Sequence, residues 1–137
     1  MTRSQLVSLL RAHRLAVEAT SHASGGPQAA VVGIAVTDDC EIIFDTVTTS
    51  RKYENLRRDP RCAIVVWHGE QTVQVEGVAD FPVGDELERV RACYFAAFPD
   101  GRERMQWPDI AYVRVRPQWA RASDFAASPP RISELAL

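Results

Sequence analysis

The sequence is poor in features that announce a chemistry. Its three cysteines, Cys40, Cys62 and Cys93, are far apart and form no C-x-x-C pair, so neither a zinc ribbon nor a disulfide framework is indicated. The three histidines, His13, His22 and His68, lack metal-ligand spacing, and no metal is expected. Neither sign of charge dominates. Sixteen basic against 18 acidic residues leave a formal charge of −2, so general attraction to nucleic acid or an anionic membrane is not expected. The longest apolar run covers residues 29–36, far short of the ~20 residues that span a bilayer. Residues 1–6 do not read as a signal peptide, and a cytoplasmic location is the expectation. There is no repeat of fixed period and no low-complexity stretch. What remains is 137 residues, 46% apolar and 25% charged. One soluble domain over 1–137 with a single core is expected.

Periodicity then sets the elements. Residues 3–13 place Leu6, Leu9, Leu10 and His13 at helical spacing, with Ser4 near the cap. Residues 14–21 switch to period two, Leu15, Val17 and Ala19 alternating with Ala16, Glu18 and Thr20, which predicts a half-buried strand. After a turn at Ser24-Gly25-Gly26-Pro27, residues 28–37 are apolar on both faces, as in a strand covered on both sides. Gly33 within it marks a bulge or a close backbone approach. Strands are predicted over 41–47, 62–67, 71–81 and 110–122, a short surface helix over 51–58 and a longer one over 84–98. In the last helix Leu87, Val90, Tyr94 and Phe98 recur at helical spacing. Gly69-Glu70 turns the chain, and Pro129-Pro130 marks a loose tail.

Six strands and three helices that do not alternate regularly argue against a doubly wound parallel sheet. The expected class is mainly β: a six-stranded antiparallel barrel with flanking helices, in which closure removes sheet edges. The strands over 28–37 and 62–67 are apolar on both faces. A barrel interior covers only one face, so the other needs a helix or a second copy of the chain. A homodimer is therefore expected.

One segment carries chemistry. A strand ends at Phe44, Asp45, Thr46 and Val47; Thr48, Thr49 and Ser50 follow; a helix then opens on Arg51 and Lys52 and stops at Asp59-Pro60. Helix starts favour acids, because the dipole is positive there. Two cations at that end, with free N–H groups and hydroxyls, form a receptor for a phosphate. The plain alternative is an ordinary capped helix with both charges solvated. Arg57, Arg58 and Arg61 extend the basic surplus, but only Tyr53 accompanies it as a stacking group, so nucleic-acid binding is not expected.

The order Phe44, Thr46, Ser50, Arg51, Lys52 and Asp59-Pro60 forms a longer pattern with its surroundings. These are an upstream Gly26-Pro27 turn, the apolar strand 62–67, Val73-x-Val75-x-Gly77 and a closing strand through Val113 and Trp119. In this the chain resembles the FMN-binding split-barrel family typified by pyridoxamine 5′-phosphate oxidase, over residues 10–125 and most densely over 26–80. The resemblance implies a split β-barrel and a homodimer with FMN in a cleft between subunits. It also implies a phosphate on Arg51 and Lys52, with Ser50 and Thr46 as hydroxyl partners. The backbone of residues 30–32, Ala30 and Val31 among them, would lie along the isoalloxazine ring. Thr72 stands where the oxidases use a Gln near the flavin.

The departures narrow the expectation. Ala30 and Ala35 stand where the pyridoxamine oxidases carry an Arg and a Lys. Their C-terminal Arg-x-His-Asp-Arg pattern is absent, and no histidine follows His68. Oxidation of vitamin B6 is therefore not expected. Asp45 replaces a Tyr, and strand alternation points it away from Thr46. The implied function is an FMN-dependent oxidoreductase acting on a small molecule. The alternatives are a flavin- or haem-binding carrier or sensor without turnover, and a deazaflavin-dependent enzyme of the same fold. Flavin chemistry asks the protein for orientation, water exclusion and electrostatics. Trp107, Trp119 and Tyr112 are candidate pocket walls. Cys93 is expected to be a buried structural thiol, His68 a solvated or hydrogen-bonded side chain, and Glu86, Glu88, Arg89 and Arg91 a solvated helix face.

Overall fold

The computed structural model describes all 137 residues. Helix α1 (Arg3–Arg11) starts where expected and ends two residues sooner. The Thr2 hydroxyl accepts the Gln5 N–H at 3.1 Å, and Gln5 Oε1 accepts the Thr2 N–H at 2.8 Å. This reciprocal box, not Ser4, caps the helix. Strands β1 (Leu15–Ser21) and β2 (Pro27–Gly33) follow, then a two-residue β3 (Ala35–Val36) and β4 (Ile42–Val47). Helix α2 (Arg51–Arg58) leads into the hairpin of β5 (Arg61–His68) and β6 (Gln71–Asp80), which turns at Gly69 with φ +55°. Helices α3 (Gly84–Ala97) and α4 (Gly101–Arg104) precede the long β7 (Ile110–Asp124) and a terminal β8 (Arg131–Ala136). No helix is long and apolar enough to cross a membrane.

All pairings are antiparallel, in the order β2-β1-β5-β6-β7-β4-β3, with β8 added to β7. The two ends of that order, β2 and β3, are consecutive in the chain. The sheet therefore curls back on itself as a split barrel flanked by helices, the expected class, with eight strands rather than six.

Two local causes raise the count. The segment 28–37 divides at Ile34, whose N–H makes the last in-register bond to β1, at the Arg14 carbonyl (2.8 Å), before Ala35 and Val36 pair with β4 instead. The tail expected to be loose instead pairs from Trp119↔Ala136 to Asp124↔Arg131. Strand β4 occupies β7 only as far as Val115, which leaves backbone donors and acceptors open beyond it. Strand β8 takes these up, helped by an Arg121–Glu134 ion pair.

The interior of the curl holds a 20-residue apolar cluster, including Leu6, Leu10, Phe44, Ile64, Val75 and Val113. Helix α3 covers a second cluster with Val90, Tyr94 and Phe95 against Ala35, Ile43 and Tyr112. Gly33 is the close approach expected of it, since a Cβ there would lie 2.9 Å from the Phe98 ring. Gly77 sits where the β6–β7 register shifts, and a Cβ would meet the Arg116 carbonyl oxygen at 2.6 Å.

Two expectations about faces change, and a third is extended. Glu86 and Arg89 are exposed, as expected of a solvated helix face, but they also join an ion cluster. Buried Arg114 reaches Asp80 at 2.8 Å, Glu86 at 2.5 Å and Glu41 at 3.2 Å, and Arg89 reaches Glu41 at 2.8 Å. This cluster ties α3 to the sheet. Strand β1 buries Ala16, Glu18 and Thr20 and turns Leu15, Val17 and Ala19 outward, the reverse of what hydropathy alone suggests. Strand β2 is not covered on both faces within one chain, because Val31 is 62% exposed. Val31, Val17 and Val65 share one cross-strand row on this outward face, and Leu15 and Trp67 extend it.

Candidate functional site

Helix α2 opens where β4 ends. Ser50 has extended backbone (φ −75°, ψ 154°), and its hydroxyl accepts the Tyr53 N–H at 3.2 Å. Thr46 Oγ1 lies 2.8 Å from Ser50 Oγ in a shared hydrogen bond. The predicted hydroxyl pair thus exists, but it props the first turn of the helix from beneath. The leading amides of the helix have no intrahelical partner, and Arg51 and Lys52 stand at that end.

Beside them is a cavity of about 180 Å³ lined by Glu18, Thr20, Gln28, Ala29, Ala30, Arg51 and Lys52. Asn55, buried on the inner side of α2, fixes its geometry. Its side-chain amide donates to Thr20 Oγ1 at 3.0 Å and to Gln28 Oε1 at 2.9 Å, joining the helix to β1 and β2. The Arg58 guanidinium donates to the Ser21 carbonyl from the end of the same helix. Small side chains at positions 29 and 30 leave the cavity open.

Glu18 is the unexpected member. It is 1% exposed, and its Oε2 has no hydrogen-bond partner. Burial raises its carboxyl pKa above the usual range, and the Lys52 charge pulls it partly back. The Cys62 thiol is pushed up to about 12, first by burial and then by the Glu18 charge.

The predicted residues divide between two places. Ala30, Arg51 and Lys52 meet at the cavity, with Thr46 and Ser50 supporting it. Val31 points to the outward face, and Thr72 lies opposite Trp67 and Ser123 on β6, away from the cavity lining. Tyr112 is buried under α3, Trp107 is exposed and Trp119 lies beneath the Arg121 guanidinium at 5.5 Å. None of these three lines the cavity. Asp45 faces away from Thr46, as alternation requires. Arg104 Nε donates to it at 2.8 Å and the Tyr94 hydroxyl at 3.1 Å. His68 is exposed, its ring 5.2 Å from that of His13. Cys93 is half-buried, and burial raises its thiol pKa.

Sequence reasoning missed Glu18, Thr20, Gln28 and Asn55. Only Glu18 left a signal, an acid at an alternating position of a strand flanked by small and apolar residues. The cavity joins a helix start, two cations and capped hydroxyls in the order seen along the chain, and residues 2–124 match the family described as Pyridoxamine 5′-phosphate oxidase. The chain belongs to the pyridoxamine 5′-phosphate oxidase family.

A curated relative in that family, the pyridoxine/pyridoxamine 5′-phosphate oxidase of Bordetella avium (strain 197N), is 35% identical over 121 residues. The match covers 82% of this chain and 56% of the relative, so the chain spans little more than half that protein's length. Solved structures share the fold. A heme binding protein from Mycobacterium smegmatis superposes with a TM-score of 0.85 at 22% identity, covering 98% of this chain and 57% of its own. A pyridoxamine 5′-phosphate oxidase-related, FMN binding protein from Nostoc punctiforme gives 0.72 at 16% identity, covering 98% and 91%. The family's split barrel is thus shared by proteins named for flavin and for haem.

Proposed function

We propose that this chain is an FMN-binding oxidoreductase of the split-barrel class, working as a homodimer on a small-molecule substrate. One observation carries the proposal: two cations and the open start of α2 flank a small polar cavity. The donor set suits a phosphate. At about 180 Å³ the cavity is smaller than the roughly 300 Å³ at which pockets for whole ligands begin. It therefore suits the phosphate end of FMN rather than its three-ring system. The ring would need a second wall, and the bare outward face of β2, β1 and β5, with Thr72 on the neighbouring strand, is available to a second copy of the chain. When bound, FMN would supply hydride or single-electron transfer. The chain's own part is to hold the phosphate with Arg51 and Lys52, keep α2 fixed through Ser50 and Asn55, and exclude water. The Bordetella relative is named for pyridoxine and pyridoxamine phosphates. Vitamin B6 is not proposed as the substrate here, because Ala30 and Ala35 lack the cations that the resemblance assigns to those positions.

The visible spectrum of the purified protein tests the cofactor directly, since flavin, deazaflavin and haem absorb differently. FMN is expected. A haem spectrum, or no FMN uptake on titration, would overturn the proposal. In the double variant Arg51→Ala/Lys52→Ala, FMN affinity should fall by about 3 kcal/mol, roughly a hundredfold, from the loss of charge-assisted contacts. Unchanged affinity would remove the phosphate assignment.

A further inference from the structure

We infer that Glu18 is a ligand-contacting, specificity-determining residue of this cavity. Its carboxylate accepts hydroxyl groups of a polyol chain whose terminal phosphate is held by Arg51 and Lys52, so the cavity selects phosphorylated polyols. The inference rests on the phosphate reading above and deepens it.

The argument is one of unmatched acceptors. Three polar side chains enter the cavity from the strands: Glu18, Thr20 and Gln28. Thr20 Oγ1 and Gln28 Oε1 already accept the two amide hydrogen bonds of Asn55. Glu18 Oε2 accepts none, although it is fully enclosed. A buried acceptor without a donor is costly, and native structures leave few of them.

The register makes the placement deliberate. Glu18 lies between Ala30 on β2 and Ile64 on β5, on the inward face of β1. The groups facing it are Lys52 from α2, whose charge acts on it, and the neutral thiol of Cys62 from β5. Neither donates a hydrogen bond to it. The missing donor must come from what occupies the cavity. A carboxylate takes hydrogen bonds from hydroxyls, whereas a phosphate dianion or a ring carbonyl has none to give. Arg51 and Lys52 hold an anion at one end, and Glu18 awaits donors within the same small volume. A short chain bearing hydroxyls and ending in a phosphate satisfies both, as the ribityl phosphate of FMN does. A flat apolar macrocycle satisfies neither.

Calorimetric titration and thermal melting separate the possibilities. The probes are ribitol 5-phosphate, inorganic phosphate and FMN; the proteins are the wild type, Glu18→Leu and Glu18→Gln. Ribitol 5-phosphate should bind the wild type at least about tenfold more tightly than phosphate does, the value of a hydrogen bond to a charged group. Glu18→Leu should lose that advantage, bind phosphate at least as tightly as the wild type because an anion beside Lys52 is gone, and melt higher than the wild type without ligand. A residue needed only for folding would melt lower on substitution.

The inference is overturned if ribitol 5-phosphate binds the wild type no more tightly than phosphate. It is equally overturned if Glu18→Leu keeps the full advantage. Should Glu18→Leu fail to fold, near-isosteric Glu18→Gln decides: the advantage should fall at least about threefold with loss of the charged acceptor, and no change overturns the inference. Wild type that binds FMN no better than Glu18→Leu does would sink the Glu18 role alone. Wild type that discriminates between the two phosphates through Glu18 but takes up no FMN would sink the flavin reading alone.

Discussion

Ionising Glu18 places a charge at a buried carboxyl whose Oε2 has no protein donor. Burial raises its carboxyl above the value near 4.5 that it has when unfolded. The sign follows from linkage. The folded form binds the proton more tightly, so Glu18 favours folding below its unfolded pKa and loses that contribution as pH rises through its folded pKa. Replacing Glu18 by Leu removes an unmet buried acceptor, which costs about 1–3 kcal/mol. The stability gained by Glu18→Leu without ligand should therefore be small near pH 4 and grow towards neutrality. Urea denaturation across that range checks it, and a gain independent of pH would contradict the assignment. Legibility at this scale was uneven. Arg51 and Lys52 stood out because their charges oppose the helix dipole. Glu18 did not, because alternation in β1 has two faces and the more apolar one is turned outward. Only the pairing with both β2 and β5 reveals which face is interior.

At the scale of elements, α2 is the piece on which the site depends. Its own sequence carries little apolar surface, and Leu56 and Asn55 are its buried residues. Ser50 caps it, Asn55 fastens it to two strands, and Pro60 lies just beyond its end. Asn55→Ala should cost about 2 kcal/mol, because both Thr20 and Gln28 are left without their donor in a buried place. Chemical denaturation would measure that loss, and phosphate affinity should fall with it as the helix start loses its position. Most elements were legible because their periods are clean: β4, β5, β6, α2 and α3 lie within a residue or so of expectation. The exceptions have tertiary causes. Strand β8 forms because β7 outruns β4, and no local pattern around Pro129-Pro130 discloses that. The break at Ile34 exists because the chain must change sides of the curl there. Glu86 and Arg89 were read only as helix surface because the partners that tie them to the sheet, Arg114 and Glu41, are 28 and 48 residues away.

At the scale of the molecule, the outward face of β2, β1 and β5 is the surface that would meet a second copy in the proposed homodimer. Leu15, Val31, Val65 and Trp67 are each more than a third exposed and fall on adjoining cross-strand rows. Grouped apolar surface of this kind marks an interaction site. The double apolar character of residues 28–37 and 62–67 appears in one chain as an exposed apolar row on the outer face of the sheet. In the proposed homodimer the pair Val31→Glu/Val65→Glu should shift sedimentation from dimer to monomer. FMN affinity should fall by roughly tenfold or more, because the wall expected against the ring departs. A wild-type protein that sediments as a monomer at micromolar concentration would end that proposal.

Strand β2 pairs with β1 on one side and with nothing on the other. On that open side its alternate peptide groups are unladdered, and residues 28–30 lie in the cavity lining, where a guest would meet main chain as well as side chains. Recognition through peptide groups is indifferent to residue identity. Alanines at 29 and 30 surrender little of it, and the same frame can accept guests of different outline by changing side chains around a constant backbone rail.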